Sequence, residues 1–470
     1  MDANVATPSP RMAELAQKRV LINDLMGGTF KMRSAAEKWL PKHPAESEGV
    51  YKTRLGKTFL DNFLGLAIEK ATGKVFTKPI KLADAPPPVE ELVGDVDLQG
   101  SGLDAFAQDV GKRSFAAGIS YVLVDVPPSN GAKSAAEEKK AGIRPYLVHI
   151  NPDSVIEILT AMAGGRETIQ RVRLLETATI NEGWSYTAVE RVRVLEMRGG
   201  VMCYDVYQKK TDGAKVEWSL IPELSGVTTF PAIFLRPFYS NRTAFMEGEP
   251  GFQNIAESTL EHWQTKSEYT HALSMQCFGM LTAVGVSVDE TFEVGPAKVL
   301  KSSNPEASFS YTEPTGKGVE LAEKALQGIE SRIETAGVQL RVENAGQVTA
   351  TAASLDSAET NAGIIAVANG FADSWEQVLR DMAFILGAEA PNLKAEILTD
   401  VGKQKGTQAG LTELGKALAL GAMSRPRYWS VMKWRGEVPE DFDEEANDEE
   451  LENEGPALGT VKKGEEGGEE

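Results

Sequence analysis

The chain has 470 residues, of which 42% are hydrophobic and 25% are charged, with a formal net charge of −19. This is the composition of a folded globular protein with room for two or three hydrophobic cores. It excludes a fibre and a wholly disordered chain. The net charge argues against tight DNA binding through phosphate neutralisation. It is compatible with an acidic channel wall along which DNA slides, and equally with acidity that serves solubility alone.

The negative charge is concentrated at the C-terminus. Residues 437–470 contain 15 acidic residues and two lysines, so their net charge of −13 leaves −6 for the remaining chain. Like-charge repulsion and a shortage of apolar residues predict that this acidic tail is disordered.

Helical patterns dominate the first 120 residues. A helix near Met12–Leu25 lies in an N-terminal arm over residues 1–50. Apolar residues at helical spacing predict a helix over Tyr51–Ala71. Another helix is predicted over Gly102–Ala117, before a buried strand at Tyr121–Val126, so this part begins as an α/β arrangement.

Short β-rich runs follow over residues 144–236. Turn signals such as Gly199-Gly200 and Asp212-Gly213 separate them. Strands joined by such tight turns pair antiparallel, so this stretch predicts an antiparallel β-subdomain. With the preceding helices it makes up a predicted unit over residues 51–250.

Long helices are predicted after Pro250. Their ranges are 251–281, 316–340 and 352–387, and two internal glycines make a bend in the third helix plausible. The intervening residues 282–315 contain short strand candidates. A further helical region is predicted over 388–436.

The second and third long helices carry narrow apolar stripes, a pattern that is typical of packing against neighbouring helices. As candidate subunit-packing residues we take Leu326, Ile329, Ile333, Leu340, Ile365, Trp375 and Leu379.

Catalytic and metal-binding motifs are not found. Gly56-Lys57-Thr58 resembles the end of a phosphate-binding loop, but that loop needs a glycine where Tyr51 stands, and the tripeptide lies inside a predicted helix. Of four histidines, His262 and His271 share a predicted helix but point in opposite directions. We therefore expect no enzyme, no cofactor and no metal site.

Targeting signals are also not found. Cys203 and Cys277 are too few for a disulfide framework, so both are expected to be reduced. The N-terminus lacks the pattern of a signal peptide. Residues 272–288 are uncharged but too short and too polar for a membrane span, so no membrane association is expected.

Several stretches resemble a portal-like family encoded by tailed phages. They occur in the family's order, and their joint order is more specific than any one of them. The stretches are Leu25–Arg33 (LMGGTFKMR), Trp39–Pro41 (WLP), Tyr51–Leu55 (YKTRL), Gly73–Phe76 (GKVF), Gly118–Asp125 (GISYVLVD), Ile255–Trp263 (IAESTLEHW), Tyr311–Gly316 (YTEPTG), Ile333–Gly337 (IETAG), Thr349–Ala352 (TATA) and Asp356–Glu359 (DSAE).

The resemblance implies an α+β portal-type fold and a ring of identical subunits, usually twelve. In that fold residues 51–250 are the wing, with an α/β part and an antiparallel β part. The stem helices are 251–281 and 316–340, and 282–315 is a small clip between them. The implied later parts are a channel loop (341–351), a long bent helix (352–387), an α-helical crown-like region (388–436) and the disordered acidic tail (437–470).

The polar segment 341–351 is then a candidate for contact with passing DNA. Its candidate residues are Arg341, Glu343, Asn344, Gly346, Gln347 and Thr349. A flexible surface connection between two helices is the alternative interpretation of the same segment.

The implied function is that of a portal protein at one capsid vertex of the virion, assembled in the host cytoplasm. It would act as a conduit for DNA packaging and ejection. The implied partners are further copies of the chain, a terminase, the major capsid or scaffold protein, a head–tail adaptor, and double-stranded DNA bound without sequence specificity. Two alternatives stay open: another head–tail connector or adaptor ring protein, and an enzyme of the packaging apparatus.

Overall fold

A computed structural model of the chain describes residues 4–127, 137, 140, 142–213, 215–278, 280–286, 304–312, 317–338, 350–399, 408–434, 437–438, 442–444 and 446–447. The chain divides into two compact units, Met1–Thr399 and Asp400–Glu470.

The first unit begins with short helices whose ends the sequence marks. The N-terminal caps of three of them are Ser9, Ser47 and Asn62, whose side-chain oxygens accept hydrogen bonds from backbone N–H groups of the first turn. The helices are α1 (Pro10–Met26), α2 (Gly28–Ala35), α3 (Glu48–Lys57), α4 (Phe63–Val75), α5 (Pro87–Glu90) and α6 (Leu103–Ala117).

The helix predicted over Tyr51–Ala71 is in fact two helices. Thr58 has an extended backbone and ends α3, and Asn62 caps the new helix α4. The apolar spacing continues across the break, so periodicity alone did not reveal it. The cap side chain of Asn62 is the local signal for the second start.

A three-stranded sheet lies next to these helices. Its central strand is β2 (Ile119–Asp125), which pairs antiparallel with β3 (Tyr146–Ile150) and β10 (Leu235–Tyr239). Two small pairs, also antiparallel, complete this part: β1 (Lys81–Ala83) with β15 (Lys394–Glu396), and β11 (Arg242–Ala244) with β12 (Glu247–Gly248).

A six-stranded antiparallel sheet corresponds to the predicted β-subdomain. Its strands are β4 (Val155–Ala163), β5 (Arg166–Glu182), β6 (Ser185–Arg198), β7 (Val201–Asp212), β8 (Lys215–Leu220) and β9 (Gly226–Val227). Val172, Leu174 and Leu195 on one face share a core with α1 and with β2. Because every described strand pair is antiparallel, the fold is α+β and the expected α/β beginning of the wing is wrong.

Three long helices follow: α7 (Gln253–Phe278), α8 (Lys317–Val338) and α9 (Ala350–Ile385). At 1.5 Å per residue they are about 39, 33 and 54 Å long. Between α7 and α8, the strands β13 (Met280–Val284) and β14 (Ser308–Thr312) form an antiparallel pair.

The C-terminal half of α9 belongs to the core of the first unit. Phe371 and Trp375 are fully buried. Phe371 lies against the rings of Phe115 and Phe238, and Trp375 against those of Phe106 and Phe238, with centroid separations of 4.7–6.2 Å. Near the end of the helix, Asp381 receives two hydrogen bonds from Arg236, at 2.5 and 2.7 Å.

The predicted crown-like region, 388–436, is divided between the two units. The strand Lys394–Glu396 pairs with β1 inside the first unit. The second unit contains the helices α10 (Gln408–Ala419) and α11 (Arg425–Trp434). The strand was not predicted because its three residues are too few to show a period.

The start of the acidic tail differs from the expectation of disorder. The Phe442 ring lies 4.7 Å from the ring of Trp429, and Glu444 forms an ion pair with Lys433 at 3.2 Å. An aromatic residue among the acids gives this part of the tail apolar surface to bury. The expectation was wrong at these residues because it averaged composition over the whole tail.

Gly118 provides a test of the junction between α6 and β2. Its φ is +84°, and a Cβ atom there would lie 2.0 Å from the backbone oxygen of Glu249. We expect Gly118→Ala to lower the free energy of unfolding by about 3 kcal/mol or more, since it adds backbone strain and overpacking. Urea unfolding measures the change.

Gly73→Ala is the matched control. Gly73 lies within α4, and a Cβ atom there meets nothing within 4 Å. This variant should be unchanged or more stable by up to about 1 kcal/mol. Equal stability of the two variants would show that the close approach at Gly118 is relaxed by backbone movement.

Candidate functional site

The helices α7 and α8 pack against each other as a pair. On α8, Leu326, Ile329 and Ile333 are buried at spacings of three and four residues, whereas most of the residues between them are exposed. Since α7 is the main element in contact with α8, this apolar stripe lies against α7.

Polar contacts show the direction of the two helices. Arg332 Nη2 lies 2.6 Å from Glu261 Oε2, and His262 Nε2 lies 3.1 Å from Glu330 Oε1. The chain passes from α7 to α8 at the other end, through β13 and β14. The two helices are therefore antiparallel, with a small β-hairpin between them.

One buried network fixes α7 to the N-terminal helices. The guanidinium of Arg54 is almost fully buried and donates to both carboxylate oxygens of Glu46, at 2.9 and 2.8 Å. It also donates to Pro41 O at 3.0 Å and to Ser267 Oγ on α7 at 3.3 Å. Hydrogen bonds from Arg54 lower the pKa of Glu46 to about 2.

A second polar cluster contains Lys266 and His262, which are four residues apart on α7. Lys266 forms an ion pair with Asp61, which precedes α4. His262 is 2% exposed, with Nδ1 at 3.8 Å from Asp61 Oδ2, and the ring of Phe63 stands edge-on to the imidazole at 5.0 Å. Asp61, His262 and Glu330 therefore connect the segment before α4, α7 and α8.

The predicted subunit-packing residues lie in two different places. Leu326, Ile329 and Ile333 are covered by α7, and Trp375 and Leu379 are buried within the first unit. Ile365 keeps 37% of its surface exposed. Its participation in a contact between subunits stays a prediction, whereas the five buried side chains already have partners within their own chain.

The predicted channel-loop residues all lie outside the described residues, and so does Leu340. These channel-loop residues are Arg341, Glu343, Asn344, Gly346, Gln347 and Thr349. Their assignment stays a prediction.

The tripeptide Gly56-Lys57-Thr58 does not have the geometry of a phosphate-binding loop. It lies at the C-terminal end of α3 rather than inside a helix as predicted, and rather than at the helix N-terminus that such a loop requires. The Thr58 hydroxyl donates to Arg54 O at 2.8 Å and lies 3.0 Å from Ser267 Oγ, so it is part of the structural network.

Ser120 and His149 form the described pair that most resembles a nucleophile with its general base. They lie on different strands, so no local sequence pattern predicts the pair. Ser120 Oγ is 2.8 Å from His149 Nε2, and a cleft of about 410 Å³ opens beside His149 and Asp109. Ser120 is fully buried, however, so a substrate cannot reach its oxygen. The hydrogen bond between the two side chains gives the Ser120 hydroxyl and His149 Nε2 a partner away from water.

The described part of the chain contains no group of three or more His, Cys, Asp or Glu side chains placed to hold a metal ion. Nor does any of its helices combine the length and apolarity that crossing a membrane requires.

Comparisons with known proteins give one family match. Residues 251–384 match a family described as a domain of unknown function (DUF4055). The match begins just before α7 and ends at the last turn of α9. No curated protein matches the chain.

Among solved structures, the chain is similar to a chain from the neck of a native gene transfer agent particle computed with C12 symmetry. The identity is 10% and the TM-score 0.39, with 85% of this chain and 98% of that chain covered. A chain from the virion of a native gene transfer agent particle gives 11% identity and a TM-score of 0.39, covering 87% and 98%.

Burial of His149 gives a testable pH dependence. Loss of solvent lowers the pKa of His149 to about 4 from an ordinary 6.5, so the unfolded chain binds a proton that the folded chain excludes. The free energy of unfolding therefore keeps its full value above pH 6.5 and decreases as the pH falls from 6.5 towards 4. The expected decrease is about 3 kcal/mol.

His149→Gln retains a hydrogen-bonding side chain next to Ser120 but does not titrate. We expect urea unfolding at pH 7 and pH 4 to show a smaller pH dependence in this variant, by about 3 kcal/mol. All other titratable groups contribute equally to the pH dependence of the two proteins. If the wild type and the variant show identical pH dependence, His149 is protonated in the folded state as readily as in the unfolded chain.

Proposed function

We propose that the chain is a portal protein, the subunit of a ring at one capsid vertex through which DNA is packaged and ejected. The observation that carries this proposal is the antiparallel helix pair α7–α8 with a β-hairpin between its helices. It follows a wing of helices and antiparallel sheets in the same order as in the family that the sequence resembles.

The helix pair supports the proposal because specific contacts attach it to the N-terminal helices. Arg54, Thr58 and Lys266 connect α7 to the N-terminal helices, and α8 is placed by α7. The long helix α9 returns into the wing core at Phe371 and Trp375. Long helices with fixed attachments make a stiff wall, which a tube around DNA requires.

Ring closure follows from repetition of one contact. If one face of a subunit fits a different face of the next, the same contact repeats until the ring closes. We propose a homo-oligomer of twelve copies in the virion. Its further proposed partners are a terminase at the clip, residues 282–315, a head–tail adaptor, and the major capsid or scaffold protein.

DNA would pass without base recognition. A translocating duplex presents its backbone to the wall, so contacts with phosphates carry no sequence information. The chain's acidity keeps such contacts weak. The segment 341–351, between α8 and α9 in sequence, is the proposed channel loop.

We propose no catalytic activity for this chain, so ATP turnover belongs to a separate terminase. The buried Ser120 and the structural role of Thr58 support this view. The second candidate function is another head–tail connector or adaptor ring. The extensive wing, residues 51–250, favours the portal.

The ring is the first test. Negative-stain microscopy and native mass spectrometry of the purified chain at micromolar concentration should show a ring of ten or more subunits with a central hole. Protein that stays monomeric or dimeric under all assembly conditions would contradict the proposal.

The channel loop is the second test. Replacing Asn344–Gln347 with a Gly-Ser linker of equal length should leave ring assembly intact but reduce packaged DNA or its retention, since the hydrogen-bonding side chains are removed. The measurements are packaged DNA length and particle yield. If both are unchanged while rings form normally, residues 341–351 are only a connection between helices.

A further inference from the structure

The second compact unit, Asp400–Glu470, contains two stretches of opposite charge. Residues 401–436 contain seven Lys and Arg and one Glu, a net charge of +6, and the acidic tail, residues 437–470, has a net charge of −13. The helices α10 and α11 lie in the basic stretch. Charge alone does not show that the two stretches meet, but the contacts of the described residues do.

The described part of the tail lies against α11. The Phe442 ring packs on the ring of Trp429, with 4.7 Å between the two centroids. Two residues further along the tail, Glu444 Oε1 lies 3.2 Å from Lys433 Nζ. An aromatic ring and a carboxylate of the tail therefore occupy two side chains of the helix.

Local hydrogen bonds hold the tail in this position. The N–H of Glu437 donates to Met432 O at 3.0 Å, which turns the chain at the end of α11. Beyond the contact, the N–H of Ala446 donates to Asp443 Oδ1 at 3.1 Å, and the N–H of Asn447 donates to Asp443 O at 3.2 Å. The segment that contacts α11 is thus fixed by hydrogen bonds on both sides.

The two contacted side chains belong to one side of α11. Arg425, Trp429 and Lys433 follow one another at intervals of four residues, so they lie along the same side of the helix. Arg425 is exposed, whereas Trp429 and Lys433, which the tail contacts, are half-buried. We call Arg425, Trp429 and Lys433 the basic stripe.

The basic stripe has the chemistry of a phosphate-binding surface. Lysine and arginine along one side of a helix are typical of proteins that bind nucleic acid. The carboxylate of Glu444 offers Lys433 the same charge-assisted hydrogen bond that a phosphate oxygen would offer. DNA is favoured over an acidic protein because residues 401–436 contain a single acidic residue, Glu413, and Lys416 pairs with it at 2.9 Å. The charge of this stretch is therefore almost uniformly positive.

We propose that the basic stripe is a binding site for the phosphates of double-stranded DNA, and that Phe442 and Glu444 occupy this site in the free chain. The inference rests on the proposed function for its ligand, because DNA passes through the proposed ring. It adds a competition between the acidic tail and this DNA. A helix that would otherwise hold the duplex is thereby kept from stalling its movement.

The two tail contacts respond differently to salt. The contact between Phe442 and Trp429 is apolar and is not screened by ions. The ion pair between Glu444 and Lys433 is partly exposed, so salt weakens it. Phe442 is therefore the main anchor of the tail. Because the tail belongs to the same chain, it competes at an effective concentration on the order of 1 mM, and DNA at micromolar concentration must displace it.

Release of the tail without a change of charge is the first test. Phe442→Ser removes the anchor and keeps the net charge of −19. In fluorescence anisotropy with a labelled DNA duplex, this variant should bind at least about tenfold more tightly than the wild-type chain. Leu420→Ser is the matched control. Leu420 follows α10 and is 82% exposed, so its replacement should leave DNA binding unchanged.

Two shortened chains separate the contact from the net charge. A chain that ends at Val438 lacks Phe442 and Glu444 and should also bind the duplex at least about tenfold more tightly than the wild type. A chain that ends at Asn447 loses nine acidic residues and two lysines, a net charge of −7, but keeps both contacts. It should bind within about threefold of the wild type. Equally tight binding by both shortened chains would attribute the effect to net charge and overturn the inference.

The basic stripe itself is tested in the released chain. Addition of Arg425→Ala and Lys433→Ala to Phe442→Ser should abolish the gain in DNA affinity. Since two phosphate contacts are lost, the slope of log affinity against log salt concentration should become less steep by about 2. Lys210→Ala/Lys215→Ala removes the same charge from exposed residues of the β7–β8 hairpin and should leave the gain in place.

Ring formation is measured on the same proteins by native mass spectrometry, so the inference and the proposed function can fail separately. If rings form but Phe442→Ser and the chain that ends at Val438 bind DNA as weakly as the wild type, the inference is wrong and the proposed function stands. A labelled peptide of residues 437–447 that binds these two proteins when DNA does not would assign the stripe to an acidic protein segment. Absence of wild-type rings would contradict the proposed function and leave a tail-dependent DNA site intact. Unchanged circular dichroism and thermal midpoints establish that the variants are folded.

Discussion

The burial of Arg54 is the constraint on which the placement of the long helices depends. A guanidinium removed from water requires acceptors on all sides, and removal of one partner from such a buried pair typically costs about 3–5 kcal/mol. The acceptors come from separate parts of the chain, namely Pro41, Glu46 and Ser267. The helix α7 can therefore take few orientations on the N-terminal helices.

The orientation of α7 determines the positions of the other long helices. The helix α8 packs on α7, which covers its apolar residues Leu326, Ile329 and Ile333. The chain leaves the N-terminal helices and sheets through α7 and returns to them through α9, whose Trp375 is held between Phe106 and Phe238. In the proposed ring, both ends of the segment from α7 to α9 would therefore be fixed.

The distribution of charge fits the proposed function. In the proposed ring, the acidity of the chain as a whole would disfavour adhesion to DNA and so allow a duplex to move. The acidity is uneven, because residues 28–81 carry a net charge of +6 in a chain of −19.

The sequence by itself determined the elements with strong local signals. The periods of α7, α8 and α9 and the antiparallel β-subdomain with its tight turns could be predicted from neighbouring residues. The order of short stretches gave the family resemblance. These features depend on spacings of two to four residues, which a linear pattern contains.

Tertiary structure alone decided which partners those elements have. The apolar stripe at Leu326–Ile333 and the stripe at Trp375–Leu379 look alike in sequence. The first packs on α7, however, and the second is buried in the first unit, where Trp375 contacts α6 and β10. The pairing of Ser120 with His149 and of Arg54 with Ser267 joins residues that are 29 and 213 positions apart. Periodicity shows that a face will be buried, but the choice of partner depends on long-range packing and on where buried polar atoms find acceptors.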